Sequence, residues 1–366
     1  MIIGRTEKGE VCMRIVKVSM IIVIAMMLSF LFLESRDGND HNFVEGMYRN
    51  IKEKTTELEE KAMLEKGPPA KEELLQWIGK SSNKLAEIYG EPNRIDQSAY
   101  DYQWWVYNED YDQYVQFGIE DEKIVTIFAA GKNMQVDPLS IGQSQEEVKK
   151  HFPFTDEITY QAGVSSYTFH MTEEDMKTRP LVRWKNDVFI QLYFDSFTDT
   201  LSSIRIIDGE TLLKHRPYEI VYRGNLPDEP YLSDEEWREV ETGMERQILD
   251  LTNVYRNYHG VSPLKLDEAV SEVAYLHSKD MGENEYFSHV SLNGDGLKER
   301  LAKNEVYYIA AGENIAAQYP DAIAAMEGWQ NSKGHREALF SKEYTHIGIG
   351  VFRLYYTQNF LTKAAD

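Results

Sequence analysis

The chain has 366 residues, 42% of them hydrophobic, and a formal net charge of −22 at pH 7. This length exceeds the range of one hydrophobic core, so two or three folded units are expected. An acidic chain without clustered basic residues lacks the surface that a nucleic-acid backbone requires, and we expect no such partner. Cys12 is the single cysteine, which excludes an internal disulfide and a structural zinc site built on cysteines.

An uncharged apolar run at residues 18–33 follows a basic N-terminus and precedes charged residues. Basic residues ahead of such a run favour a cytoplasmic N-terminus and export of the rest. The run is short for a spanning helix unless preceding residues join it, so a cleaved signal peptide and a signal anchor are both open. The anchor is favoured because no small-residue cleavage pattern ends the run and Cys12 lies upstream of it. We therefore expect a cytoplasmic segment 1–14 and a membrane segment 15–33, with the bulk of the chain outside the cell, or secreted after cleavage.

The next segment, residues 34–69, is rich in Glu and Lys with few apolar positions, and it ends in Gly-Pro-Pro. This composition predicts a polar helical stalk or a flexible linker, with the Gly-Pro-Pro as its boundary. It shows no motif associated with catalysis.

Residues 70–223 contain a weak internal duplication. The pattern Ile-Gly-x-Ser occurs at residues 78–81 and again at residues 141–144, each time at the start of a short helix. The two copies extend over about 70–135 and 136–223.

At the same shift between the copies, Trp104 and Val106 align with Tyr167 and Phe169. Apolar residues at alternate positions predict strands that turn these side chains inward. Each copy is thus expected to be a helix followed by about three antiparallel strands, with Trp104 in the core.

The Ile-Gly-x-Ser helix starts, a Gly-x-Pro and the aromatic strand together resemble the CAP-associated N-terminal domain of exported bacterial proteins. More loosely, the region resembles small repeats of outer-membrane assembly lipoproteins and of β-lactamase inhibitor proteins. Sheets of those looser relatives bind other proteins, which implies a partner-binding role for Trp105, Tyr111 and Tyr114. The alternative is that aromatic residues on a sheet belong to its core. Alternation predicts that Trp105 faces outward.

A polar, proline-bearing linker at residues 224–232 separates this region from the last domain, 233–366. Ser233, with Glu236 three residues later, predicts a helix N-terminus. Apolar residues at steps of three and four continue this helix until Gly260.

Five separated motifs follow in the order and spacing of one superfamily. They lie at residues 251–264 (Leu-x-Asn-x-x-Arg and Gly-Val-x-Pro-Leu), 287–289 (Phe-Ser-His), 312–316 (Gly-Glu-Asn-Ile-Ala), 329–336 (Trp-x-x-Ser-x-Gly-His-Arg) and 347–360. This domain resembles the CAP superfamily of cysteine-rich secretory, antigen 5 and pathogenesis-related proteins. The resemblance implies a three-layer sandwich of helices around a central antiparallel sheet, and the helical and alternating patterns agree with it. The whole chain is therefore expected to be an α+β protein.

Members of this superfamily present two histidines and two acidic residues in a cleft, and some bind a divalent metal there. His289, Glu313 and His335 match three of these positions, whereas Ser332 stands where eukaryotic members have a glutamate. Two imidazoles, a carboxylate and water make an open site for zinc or another divalent cation, with His289 and His335 as ligands. Ser332 weakens the charge compensation, and Glu327 is the nearest other carboxylate in that segment. The alternative is a metal-free cleft in which the same residues hydrogen-bond and hold loops.

Three functions remain open. A membrane-anchored binding or scaffold protein of a bacterial cell envelope, with a protein or envelope ligand, is favoured because Ser288 beside His289 does not make a catalytic triad. A metal-assisted hydrolase of peptide or cell-wall material would use Glu313 as general base. The third function is the binding of a lipid or another apolar ligand, which the resemblance implies.

Overall fold

The computed structural model describes residues 74–228 and 230–364, all within one compact unit, Pro68–Asp366. The predicted cytoplasmic, membrane and spacer segments, residues 1–69, lie outside the described residues. No helix in the described part of the chain is long and apolar enough to cross a membrane.

The helices begin where side chains cap their first free N–H groups. Ser144, Thr172 and Ser233 each form a capping box with an acidic residue three positions later, and Ser81 caps the first helix. The predicted helix starts at Ser81, Ser144 and Ser233 are confirmed. After a short 3-10 turn at Leu74–Gln76, the described α-helices are α1 Ser82–Tyr89, α2 Gln145–His151, α3 Glu173–Thr178, α4 Gly209–His215, α5 Asp234–Tyr258, α6 Glu268–Glu283, α7 Leu297–Lys303, α8 Ala322–Gln330 and α9 Lys333–Leu339.

The first domain is built on one large antiparallel sheet. Its strands and those beside it are β1 Arg94–Gln97, β2 Gln103–Tyr107, β3 Tyr114–Glu120, β4 Lys123–Ala130, β5 Gln135–Val136, β6 Leu139–Ser140, β7 Glu157–Ala162, β8 Ser165–His170, β9 Leu181–Lys185, β10 Val188–Asp195, β11 Thr200–Asp208 and β12 Glu219–Arg223. Seven of them pair in the order β1-β2-β3-β4-β11-β10-β9. The hairpins β3-β4 and β10-β11 meet at the centre through the pairing of β4 with β11, so both halves of the domain contribute to one sheet.

Strands β7, β8 and β12 form a separate three-stranded sheet. The alignment of the two copies matched β8 with β2, but β8 lies outside the large sheet, and β9 pairs with β10 instead. The longer second half supplies β9 as an additional strand, which takes the place beside β10. Tyr167 and Phe169 are nevertheless 5% and 0% exposed, so the predicted inward orientation is confirmed.

The second domain contains a four-stranded sheet. Its strands are β13 Lys265–Leu266, β14 Ala310–Ala317, β15 His346–Phe352 and β16 Tyr355–Thr362. They pair in the order β13-β15-β16-β14. The pairs β15-β16 and β16-β14 are antiparallel, whereas β13 is parallel to β15. The sheet is therefore mixed at one edge instead of antiparallel throughout.

Helices cover both faces of this sheet. Gly348 and Gly350 of β15 lie so close to α6 that an added Cβ atom would come within 2.2 Å and 1.9 Å of its backbone. Ile347, Ile349 and Val351 alternate to the other face and join a core cluster that includes residues of α5. The domain thus has helix, sheet and helix layers, and the fold is mixed α and β.

The two domains share one buried cluster. Trp104, Tyr114 and Tyr193 of the first domain belong to it together with Met244 and Trp329 of the second. Trp104 is 1% exposed, which confirms its predicted core position. The large sheet therefore buries one face against the second domain.

Candidate functional site

The cleft is organised by two consecutive residues of β14. Glu313 accepts a hydrogen bond from His289 Nδ1 on Oε1 at 2.9 Å and one from Arg300 Nη2 on Oε2 at 2.5 Å. Asn314 donates from Nδ2 to the main-chain oxygen of His335 at 3.1 Å. One strand thus holds both segments that carry the predicted cleft histidines.

His289 presents one ring nitrogen to solvent. Its side chain is 55% exposed, whereas that of Glu313 is 5% exposed. A carboxylate only accepts hydrogen bonds, so Nδ1 carries the proton in this pair, and in the tautomer that is protonated on Nδ1 alone Nε2 is an acceptor. Glu313 therefore orients the His289 ring and leaves Nε2 available to a ligand.

His335 lies in the first turn of α9 and is half-buried. Burial, and then the charge of nearby His289, lowers the pKa of His335 below its ordinary value, so this ring is neutral at pH 7. The end of α9 is held by Arg256, whose Nη1 donates to the carbonyl oxygens of Leu339 at 2.8 Å and Ser341 at 3.0 Å. Burial lowers the pKa of Arg256 to about 10, which keeps it charged at neutral pH. Arg256 thus connects α5 to the end of α9.

Arg300 fastens the loop that carries His289, and sequence reasoning missed it. Its Nη1 donates to the main-chain oxygens of His289 at 3.0 Å and Asp295 at 3.2 Å, and the residue is 8% exposed. A signal was present in the sequence, because Leu297, Arg300 and Leu301 share one helix face at steps of three and four. A charged residue on an apolar face needs a buried partner.

His277 supports the same loop from α6. It is 1% exposed, and its Nε2 lies 3.0 Å from the carbonyl oxygen of Ser288. Burial, with a smaller contribution from the charge of Arg300, lowers the pKa of His277, so it is neutral.

Ser332 and Glu327 have different environments and different hydrogen-bond partners. Ser332 is the half-buried N-cap residue of α9, where its side chain makes no capping hydrogen bond. Glu327 is 4% exposed and accepts hydrogen bonds from Tyr255 Oη at 2.5 Å, from Ser202 Oγ at 3.1 Å and from Ser203. These serines belong to the first domain, so Glu327 is committed to the domain contact and does not replace the carboxylate missing at Ser332.

The donor set differs from a three-ligand metal site. Within residues 74–228 and 230–364, no three His, Cys, Asp or Glu side chains are grouped so that they could hold a metal ion. Glu313 is engaged with Arg300 and His289. Because both Glu313 oxygens accept hydrogen bonds from protein groups, the imidazoles of His289 and His335 are the more accessible groups for a ligand in this cleft.

The predicted partner-binding aromatic residues occupy different environments. Tyr114 is 0% exposed, and its hydroxyl donates to Gln116 Oε1 at 2.5 Å. The prediction for Tyr114 was therefore wrong, because the second domain covers that face of the sheet. Trp105 lies on the opposite face, as alternation predicts, but is half-buried against a second core cluster. Tyr111 is 38% exposed, and a partner role for Trp105 and Tyr111 stays a prediction.

Two family models match the chain in succession. The CAP-associated N-terminal family matches residues 78–218, and the cysteine-rich secretory protein (CAP) family matches residues 249–362. The second match contains the whole cleft, and the first contains the large sheet.

Known proteins resemble most of the chain. The uncharacterized membrane protein YlbC of Bacillus subtilis (strain 168) is 49% identical over 290 residues, which cover 79% of this chain and 84% of that protein. A crystal structure of an extracellular protein containing a SCP domain, from Bacillus anthracis str. Ames, has 43% identity and a TM-score of 0.77, with 81% of this chain and 97% of that one covered. A cysteine-rich secretory protein of Staphylococcus aureus subsp. aureus Mu50 has 26% identity, a TM-score of 0.71 and the same coverages, 81% and 97%.

Proposed function

The chain belongs to the CAP family of cysteine-rich secretory proteins, and on that premise we propose that it is a membrane-anchored binding protein of the bacterial cell envelope. Its cleft, formed around His289, Glu313 and His335, binds cell-wall material outside the cytoplasm. A relative described as a membrane protein and a similar structure described as extracellular support this location. The apolar segment 15–33 is the proposed anchor.

The choice of binding over hydrolysis rests on the environment of Glu313, which is paired with His289 and Arg300. A general base must contact the water that it deprotonates. The side chain of Glu313 is only 5% exposed, and its two oxygens face His289 and Arg300. This geometry suits a residue that orients His289, and it favours binding over hydrolysis.

The cleft suits a ligand with both polar and apolar parts. His289 Nε2 is an acceptor for a hydroxyl or amide N–H group, and the neutral ring of His335 adds a second imidazole. Phe287 and Val290 beside His289 are 55% and 50% exposed, and such exposed apolar side chains next to polar ones are typical of binding sites. Peptidoglycan offers hydroxyl groups, amides and apolar faces in one polymer.

Co-sedimentation of the full-length protein with purified peptidoglycan tests the proposal. We expect the wild type to pellet and the double variant His289→Ala, His335→Ala to bind at least about tenfold more weakly, because each lost hydrogen bond contributes roughly 1 kcal/mol. His151→Ala, an exposed histidine of α2, is the matched control and should pellet like the wild type. Equal pelleting of the wild type and the double variant contradicts the proposal. Release of soluble fragments from the polymer would identify a hydrolase instead.

Divalent-cation binding is a second candidate, favoured by the hydrogen bond between His289 Nδ1 and Glu313. Metal-ligating histidines typically donate their second ring nitrogen to a carboxylate in this way. Zinc titration of the full-length protein by calorimetry tests it, with His289→Ala expected to abolish uptake and His151→Ala expected to preserve it. Zinc uptake that is unchanged in His289→Ala rejects this candidate and leaves the peptidoglycan proposal standing.

The apolar-ligand alternative rests on the same exposed side chains near His289, with Leu292 at 68% exposure as a further member. Mass spectrometry of an organic extract of the purified protein distinguishes it. A lipid that co-purifies with the wild type but not with a Phe287→Ala, Val290→Ala variant would favour it over a cell-wall ligand.

A further inference from the structure

A second concave site lies between the two domains, and its lining includes none of the cleft residues His289, Glu313, Ser332 and His335. We call it the interdomain pocket; it has a volume of about 390 Å³. From the first domain it is lined by Arg179 and Lys214, and from the second by Trp237, Tyr319 and Leu354. Pockets at domain contacts with mostly apolar walls and a few placed polar groups are typical ligand sites.

The charges that line this pocket have one sign. Arg179, Lys214 and Arg216 contribute to its wall, and no Asp or Glu is found among the described residues that line it. Carboxylates outside the lining pair with two of these cations, Asp175 with Arg179 and both Asp101 and Glu120 with Lys214. Recognition of an anion here therefore depends on hydrogen bonds from a guanidinium group and not on a net positive charge.

Lys214 is more buried in the wall of the pocket than Arg179 is. Its side chain is 8% exposed, and Nζ lies 2.9 Å from Asp101 and 2.8 Å from Glu120. Both carboxylates lie outside the pocket lining. They hold the ammonium group in place and offset its charge, so the group available for direct binding is Arg179.

The guanidinium group of Arg179 is oriented by one hydrogen bond and one aromatic ring. Nε donates to Asp175 Oδ1 at 2.6 Å, and the guanidinium group lies over the Tyr218 ring at 5.4 Å. Its Nη1 and Nη2 atoms donate to none of the residues that the structure describes. A guanidinium fork that is already oriented loses little entropy on binding and matches the two oxygens of a carboxylate or phosphate group.

We infer that the interdomain pocket binds a ligand with an oxyanion group, carboxylate or phosphate, attached to an apolar or aromatic body. Arg179 takes the oxyanion, and Trp237 and Tyr319 contact the body. Because the pocket uses both domains, an occupant also stabilises their contact. The inference is independent of the cleft and of the proposed peptidoglycan binding.

Three probes that share a phenyl ring test the inference on the full-length protein by calorimetry. Phenyl phosphate and benzoate carry the two possible oxyanions on the same ring, and phenol carries none. We expect at least one anion to bind tenfold or more tightly than phenol, and the better of the two identifies the preferred oxyanion. Equal affinities of all three probes, or no binding at millimolar concentrations, overturns the inference.

Variants locate the binding. Arg179→Gln should lower the affinity for the better anion about tenfold, and Arg179→Lys, which keeps the charge and the pairing with Asp175, should lower it several-fold. Arg183→Gln is the matched control, since Arg183 also pairs with an aspartate four residues away but is exposed outside the pocket. His289→Ala should leave anion binding unchanged. Equal affinities of the Arg179 and Arg183 variants, or a loss in His289→Ala, contradicts the assignment.

Discussion

Helix α9 contributes one residue to the cleft and the next residue to the contact between the domains. His335 of this helix belongs to the cleft, whereas the next residue, Arg336, donates from Nη1 and Nη2 to both oxygens of Asp195 in the first domain, at 3.0 Å and 2.8 Å. His335 is half-buried, whereas the side chain of Asp195 is 3% exposed. Adjacent residues of one motif thus serve the open cleft and the closed contact between the domains.

This difference shows that a family motif is more than a list of ligand-binding residues. In the segment 329–336, the residues that match the family include one for the cleft and one for domain assembly. Glu327, just before that segment, also serves assembly through Ser202 and Ser203. Substitutions in the closed region should lower global stability, whereas those in the cleft should act locally.

The largest expected effect is that of Arg336→Ala. Removing one partner of a buried ion pair leaves the other charge unpaired, and we expect the free energy of unfolding to fall by about 3 kcal/mol. Chemical denaturation measures it, with Arg183→Ala as the exposed control that changes stability by less than about 1 kcal/mol. Equal effects of the two variants would mean that the closed contact contributes no more than a surface pair.

The next effect is the pH dependence that Glu327 contributes. Burial raises its pKa from 4.5 to about 7, so the folded chain binds this proton more tightly than the unfolded chain. The associated stability is present below pH 4.5 and is lost as the pH rises through about 7. Relative to Glu327→Gln, the wild type should therefore lose up to about 3 kcal/mol between pH 4.5 and pH 8.

Denaturation of both proteins across this range gives that difference. Histidines whose pKa is lowered by burial, such as His215 with a pKa of about 3, change stability in the opposite direction, but their effects cancel because both proteins contain them. Glu337→Gln, at an exposed position of α9, should show the pH dependence of the wild type. A pH-independent difference between the wild type and Glu327→Gln contradicts the prediction.

A smaller and local effect is expected for Arg300→Gln. The variant loses the charge-assisted bond to Glu313 and the main-chain bonds that hold the loop 289–295, at a cost of about 2 kcal/mol. Hydrogen exchange should become at least about tenfold faster in that loop and change little in the first domain. Lys298→Gln, an exposed position of the same helix, is the control. Uniformly faster exchange across both domains would remove the distinction between the two regions.

The smallest effect concerns the two imidazoles. The pKa of His335 is lowered by burial and then by the charge of His289, so its effect on stability appears as the pH falls below 6.5, where the unfolded chain gains the proton first. His289→Ala should raise the pKa of His335 only slightly, because it removes the smaller cause. An NMR titration measures the shift, with His151→Ala as control. An unchanged pKa in His289→Ala would place the two rings too far apart to share a ligand.

The sequence predicted much of the local structure because local rules govern it. The N-caps at Ser144 and Ser233 depend on side chains three residues apart, and alternation in β2 placed Trp104 in the core. Motif order identified the family before any contact was known. His289 and Glu313 were expected in one cleft, and they are hydrogen-bonded there.

Only the tertiary structure decided which charges meet and which faces are covered. Arg336 and Asp195 are 141 residues apart in the sequence, and neither has a local pattern that predicts the other. Tyrosine is a residue type that is common in exposed binding sites, but packing of the second domain buries Tyr114. Glu313 matched an acidic ligand position, yet Arg300 approaches from α7 and balances its charge. Local propensity acts over a few residues, whereas burial and ion pairing depend on how sheets and helices stack, which no short segment specifies.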